Sequence, residues 1–241
     1  MKSNHIPNNW SAKRLIAACF INAALITGCG QSTTAGVGTG GTGSVAKSIS
    51  GKVADGYLVG ATVFLDKNSN GQWDAGEPTT KSETNGAYKL TIDPADVGQC
   101  PIVALAIAGT TYDMDNNPDM IKLANSYILS MPKESVSDTA GSNFISPMST
   151  WIHKTMTANL DKSLTDVMTQ LRMNMNLPDG MNMLADYIRF GSTTSSDPNR
   201  DNYQVMHTVA QNMVPLLAQG QTLQNISIET WSMMRTRMMG R

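Results

Sequence analysis

The chain is poor in charge: only 15% of its 241 residues are Asp, Glu, Lys or Arg, and the formal net charge is -1, against about a quarter charged residues in an average soluble domain. There is no broad basic field and no basic stripe with interleaved aromatics, so no nucleic-acid partner is expected. Catalytic signatures are also missing: there is no G-x-S-x-G elbow, no phosphate-cradling P-loop and no H-E-x-x-H zinc helix. Beyond the N-terminal region only His153 and His207 remain as imidazoles. A Cys100/His pair is the one route left to a nucleophile and base, but no motif surrounds it. Cys100 stands before Pro101 and an apolar run, where a small core filler is expected. The sequence therefore reads as a non-enzyme. Long hydrophobic runs are lacking too, and "LIAACFINAALITG", Leu15 to Gly28, is too short to span a bilayer comfortably.

That short run follows Lys13 and Arg14, which is the pattern of a signal sequence over residues 1–28. Its end, "ITGC" at Ile26 to Cys29, resembles the lipobox of bacterial lipoproteins: a branched aliphatic, a small residue, glycine and cysteine. The resemblance implies cleavage before Cys29 and lipidation of its sulfur. An ordinary secretory signal or a short anchor helix is the plainer alternative. Cleavage would remove three basic residues and no acidic ones, leaving 15 against 19, a net charge of -4. Each buried lipid CH₂ contributes about 0.8 kcal/mol, so several chains hold a protein at a membrane without a spanning helix. Gly30 stands where an inner-membrane retention aspartate might be, so the resemblance points to the outer membrane, on its periplasmic or surface face. With Cys19 removed and Cys29 lipidated, Cys100 is expected to have no covalent partner.

After the cysteine, residues 29–48 form a Gly/Ser/Thr tract too poor in apolar bulk to repay its ordering entropy, and it reads as a flexible tether. Residues 49–135 are rich in β-branched and aromatic residues punctuated by Gly, Asp and Asn, and read as a small β-sandwich. From about Ser146 the period changes. Leu164, Val167, Met168, Leu171 and Met175 recur at helical spacing after Ser163, a candidate N-cap, as do Val205, Val209, Met213 and Leu216. Residues 145–241 therefore read as a Met-rich helical domain, and the fold class is α+β: a loop-bearing sandwich followed by helices.

"DKNSNGQWDAGE", Asp66 to Glu77, meets the full pattern of a calcium loop. Calcium takes roughly six to eight oxygens at roughly 2.3–2.6 Å, so one short segment must wrap around it. Asp66, Asn68 and Asn70 supply side-chain oxygens, and Gly71 permits the sharp turn. Gln72 offers a backbone carbonyl, Asp74 acts through a water, and Glu77 closes the site. Three carboxylates are few for such a site, which implies an affinity on the order of 10⁻⁴ M or somewhat tighter, matched to a calcium-rich exterior. The alternative is an empty hairpin turn, because Asp, Asn and Gly favour turns by themselves. No amphipathic helix flanks the loop, so a fixed staple is expected and a helix–loop–helix sensor is not.

Gly51 to Ile92 resembles the calcium-bearing B-type repeats of serine-aspartate-repeat adhesins and the wider transthyretin-like, carboxypeptidase-regulatory group. The shared features are the "GKVAD" opening, "GATVFLD", the Asp/Asn loop and "TNGAYKL". The resemblance implies a β-sandwich whose metal fixes an interstrand connection, with a structural or adhesive role and a protein or polysaccharide partner. Those repeats occur in tandem, whereas one full loop is present here. A second acidic patch, "YDMDNNPD", with Asp113, Asp115, Asn117 and Asp119, lacks the glycine and glutamate of a full loop and reads as an acidic turn, able at most to lend a ligand to a metal held elsewhere. "FISPMSTWIHKTM", Phe144 to Met156, resembles a "S-P-L-T-T-L" junction found after such modules in secreted proteobacterial proteins, and Ser146 with Pro147 reads as a helix start.

The 17 methionines suggest a second function, that of a periplasmic Cu(I) carrier, because thioethers are soft ligands. Their spacing favours a pliable core or protein-binding surface instead: residues two apart on a helix, such as Met173 and Met175, point in different directions.

Overall fold

The computed structural model describes residues 45–115, 121–223 and 226–236. The signal sequence, Cys29, most of the tether, Asn117, Asp119 and the Met238/Met239 pair lie outside the described residues. The described part is mixed α+β, with nine strands preceding five helices.

Strand β1 (Lys47–Val53) starts at the end of the glycine-rich tract and alternates strictly, with Ile49, Gly51 and Val53 facing inward. It pairs antiparallel with β5 (Ala87–Ile92), placing Ile49 opposite Leu90 and Gly51 opposite Tyr88. On its other edge β1 pairs parallel with β9 (Asn143–Ile145), giving a three-stranded sheet in the order β5-β1-β9. β3 (Thr62–Leu65), β4 (Thr79–Lys81), β6 (Ile102–Ala106) and β8 (Tyr127–Met131) form a second, antiparallel sheet in the order β4-β3-β6-β8. β2 (Leu58–Val59) and β7 (Tyr112–Asp113) make a short ribbon. Ile49, Leu90 and Ile92 from the first sheet meet Val63, Leu65, Ile102, Ala104 and Leu129 from the second in one buried core. Cys100 is buried in the same core.

Helix α1 (Pro147–Ala158) begins where the sequence predicts, with Ser146 and Ser149 forming a reciprocal capping box and Pro147 in the first turn. The Ser149 and Thr150 hydroxyls dock the helix on β8. Ser149 Oγ donates to the Ser130 carbonyl at 2.7 Å, and Ser130 N–H donates to Thr150 Oγ1 at 2.9 Å. α2 (Leu164–Asn174) is capped by Ser163, paired with Asp166. α3 (Tyr187–Gly191), α4 (Arg200–Ala218) and α5 (Ile228–Thr236) complete a second core around Trp151, Tyr187 and Trp231. The two tryptophan rings meet edge to face at 6.1 Å, and Trp151 Nε1 donates to the Leu223 carbonyl. Met148, Met175, Met181, Met183, Met206, Met213 and Met234 are all buried in this core, whereas Met173 is 72% exposed. Met173 and Met175 thus diverge as helical geometry requires. Among the described residues no helix is long and apolar enough to cross a membrane.

The two cores abut. Ala54, just after β1, and Phe144, in the middle of β9, sit in the helical core, and Leu217 of α4 packs against both cores.

Candidate metal centre

The Asp66–Glu77 loop is the connection of the β3–β4 hairpin. Phe64 pairs with Thr79, Leu65 N–H donates to the Pro78 carbonyl at 3.0 Å, and Asp66 N–H donates to the Pro101 carbonyl at 3.0 Å. The loop is thereby anchored at both ends to the four-stranded sheet. Asp66 is 2% exposed and Glu77 9%, an unusual degree of burial for carboxylates. Both are held by the loop's own backbone. Asp66 accepts from Asn70 N–H at 3.1 Å and Gly71 N–H at 2.8 Å, while Glu77 accepts from Lys67 N–H at 2.7 Å and Asp74 N–H at 3.0 Å.

The amides follow the same logic. Asn68 Oδ1 accepts from Asn70 N–H and Asn70 Oδ1 from Gln72 N–H, two successive turns closed by side chains. Their Nδ2 groups both donate to Asp74 Oδ2, at 2.7 and 2.8 Å. Gly71, at φ +73°, occupies the left-handed region that glycine enters without strain. Lys67 turns away from the loop to an ion pair with the buried Asp96 at 2.9 Å.

The donor set suits a hard cation. Asp66, Asn68, Asn70, Asp74 and Glu77 lie on one self-bonded turn, and an ionised carboxylate that accepts one N–H per oxygen keeps further lone pairs. Among the described residues no three His, Cys, Asp or Glu side chains stand grouped as metal ligands, so a cation would have to draw Asp74 and Glu77 inward. The loop also rims two clefts. One, of about 380 Å³, lies between Asp66, Val103, His153 and Lys154, and the other, of about 890 Å³, runs past Gln72, Ile128 and Leu223.

His153 meets a hydroxyl in the first cleft: its Nδ1 lies 2.9 Å from Ser130 Oγ. Burial, and then the neighbouring Lys154 charge, push the imidazole down to about 4. Ser130 is 3% exposed, and its backbone is fully engaged with α1. The pair fastens the helix to β8.

Sequence reasoning overlooked a polar cluster around Asp55. Asp55, 3% exposed, accepts on Oδ2 from the Tyr127 hydroxyl. Burial, then the Asp113 carboxylate, push Asp55 up to about 8 against the opposing Tyr127 bond. The Tyr187 hydroxyl donates to the Asp55 carbonyl at 3.2 Å, and its ring stacks on His207 at 5.5 Å. Nearby, Lys52 pairs with Asp186 at 3.1 Å, and the Tyr57 hydroxyl donates to the same carboxylate. Asp55 appears in the sequence only as part of "KVADG", and nothing local marks it as facing Asp113. No protein-family model matches the chain, and neither a curated protein nor a solved structure matches it.

Proposed function

We propose that this chain is a lipid-anchored cell-envelope protein whose β-sandwich is stabilised by calcium at residues 66–77 and which serves a structural or adhesive role toward a protein or polysaccharide. The observation that carries this reading is the loop itself: two buried carboxylates at its first and last positions, each oriented by backbone N–H groups before any ion arrives. Preorganisation of this kind lowers the cost of ligation. Asp66, Asn68, Asn70, Asp74 and Glu77, with the Gln72 carbonyl, would hold the ion. Calcium, when bound, cross-links the end of β3 to the start of β4. The chain's own residues supply the remaining rigidity through the Leu65–Pro78 and Asp66–Pro101 bonds.

The test is the melting temperature of the full chain with calcium from micromolar to several millimolar. A rise that Asp66→Ala or Glu77→Ala abolishes supports the reading, and an unchanged curve at several millimolar overturns it. Anchoring is tested separately by the intact mass of membrane-extracted protein. A diacyl thioether at Cys29 is expected, lost in Cys29→Ser along with membrane partition. A Cys29 sulfur found in a bridge to Cys100 excludes the thioether and overturns the anchor.

A further inference from the structure

β8 is the last strand of the β4-β3-β6-β8 sheet, so one of its edges has no strand beside it. Ser130 shows which groups that edge carries. Its N–H donates to Thr150 Oγ1 and its C=O accepts from Ser149 Oγ, so both point to α1 and away from β6. Backbone direction repeats every two residues in an antiparallel ladder, so Ile128 N–H and C=O also point away from β6. Among the described residues neither group has a hydrogen-bond partner.

Ile128 is 45% exposed and lines the cleft of about 890 Å³, together with Leu105, which stands directly across from it on β6. Their neighbours Ala104, Ala106, Tyr127 and Leu129 face the buried core, so Leu105 and Ile128 lie on the opposite face of the sheet. Ile107, just past β6, is exposed in the same cleft. The floor is thus apolar. Lys154 of α1 lines this cleft and also the one of about 380 Å³, where Lys133 and Lys162 stand against Asp66 and Glu134. Lys162 is engaged with Gln170, but neither Lys133 nor Lys154 forms an ion pair among the described residues. Asp66 is already held by the N–H groups of its own loop. Cationic heads beside an apolar floor suit an anionic, partly apolar occupant.

We infer that this groove is a peptide-docking surface, on which an extended acidic segment of another protein pairs with the Ile128 backbone as an added edge strand. The peptide residue opposite Ile128 exchanges both backbone hydrogen bonds with it and rests its side chain on Leu105, Ile107 and Ile128. Flanking carboxylates meet Lys154 and Lys133. Thr150 already occupies the edge at Ser130, so the added strand is short. The unpaired backbone edge decides for a peptide over a polysaccharide, because a sugar chain has no alternating N–H and C=O to return. Among the described residues the only aromatic rings lining the two clefts are His153 and the buried Tyr127, so no flat ring is presented for a sugar to stack on. The inference rests on the proposed protein-binding role and not on the metal.

Fluorescence anisotropy of the full chain in EDTA, with a short labelled peptide that alternates glutamate and valine, tests the groove apart from calcium. Saturable binding is expected, and its absence overturns the inference whatever calcium does to the melting temperature. Lys154→Glu and Ile128→Glu are each expected to weaken binding about tenfold, while Lys89→Glu, at an exposed position of β5, leaves it unchanged. Lys154 is exposed, so its variant keeps the test valid even where Ile128→Glu disturbs β8. Equal weakening by Lys89→Glu and Lys154→Glu would report diffuse charge and overturn the site. The same peptide methylated on its valine nitrogens keeps its charge and side chains but cannot pair with the edge, and is expected to lose binding; equal affinity overturns the added strand. A polyuronate that binds where the peptide does not, with the same dependence on Lys154, overturns the choice of partner.

Discussion

At the scale of single residues, burial decides protonation. His153 is held neutral by its packed position under α1, its affinity for protons pushed down to about 4 from an ordinary value near 6.5. The unfolded chain therefore binds a proton that the folded chain refuses, and the stabilisation from this residue is present above about pH 6.5 and lost as pH falls toward 4. The loss is roughly 3 kcal/mol at most. His153→Gln, which cannot titrate, is expected to flatten this fall; urea midpoints of both proteins between pH 4 and 7 measure the difference, and parallel profiles would refute it. Gly71 offers a second case. At φ +73° with nothing within 4 Å of an added Cβ, Gly71→Ala brings strain without collision. A loss of about 1 kcal/mol is expected by chemical denaturation, together with weaker calcium binding, because the Asp66–Gly71 hydrogen bond would shift.

At the scale of elements, what was legible in the sequence was local. The Ser146/Pro147 start of α1, the Ser163 cap of α2 and the twelve positions of the loop each depend on residues a few steps apart, where spacing and side-chain chemistry leave little freedom. The parallel pairing of β9 with β1 was not legible. A three-residue strand carries no period, and its partner lies far back in the chain. The Asp55–Asp113–Asp115 group was hidden for the same reason, since only the fold brings the two segments to Gly56. The "SPMST" junction was legible as a helix start but not as a dock. Its Ser149 and Thr150 hydroxyls bond the Ser130 backbone and its Ser146 hydroxyl accepts from Ser149 N–H, so a turn of polar residues is buried because every hydroxyl finds a partner. Thr150→Val keeps the shape but leaves Ser130 N–H unsatisfied, and is expected to cost about 1–3 kcal/mol. Ser130 amide exchange should quicken in that variant; unchanged protection would show that the dock does not depend on this bond.

At the scale of the whole molecule, the two cores share a boundary that the composition of the chain does not announce. Phe144 leaves the three-stranded sheet to meet Tyr187 edge to face at 5.1 Å inside the helical core, Ala54 accompanies it, and Leu217 touches both sides. Two units joined only by a tether would unfold separately, whereas units that bury each other's side chains lose part of both cores when either opens. The helical core is rich in methionine, whose unbranched thioether fills irregular gaps, and within it Trp151 and Trp231 meet edge to face. Trp231→Ala removes one partner of the Trp151 pair and opens a cavity, at an expected cost of about 3–5 kcal/mol. Because the cores abut through Phe144 and Leu217, this loss should also appear in the sheet half. The buried tyrosines of the sheet core, Tyr88 and Tyr127, are then expected to become accessible in near-ultraviolet spectra at the same denaturant concentration at which far-ultraviolet circular dichroism reports loss of helix. A sheet transition that stayed at its wild-type midpoint while the helices melted early would show that the shared boundary does not couple the two halves.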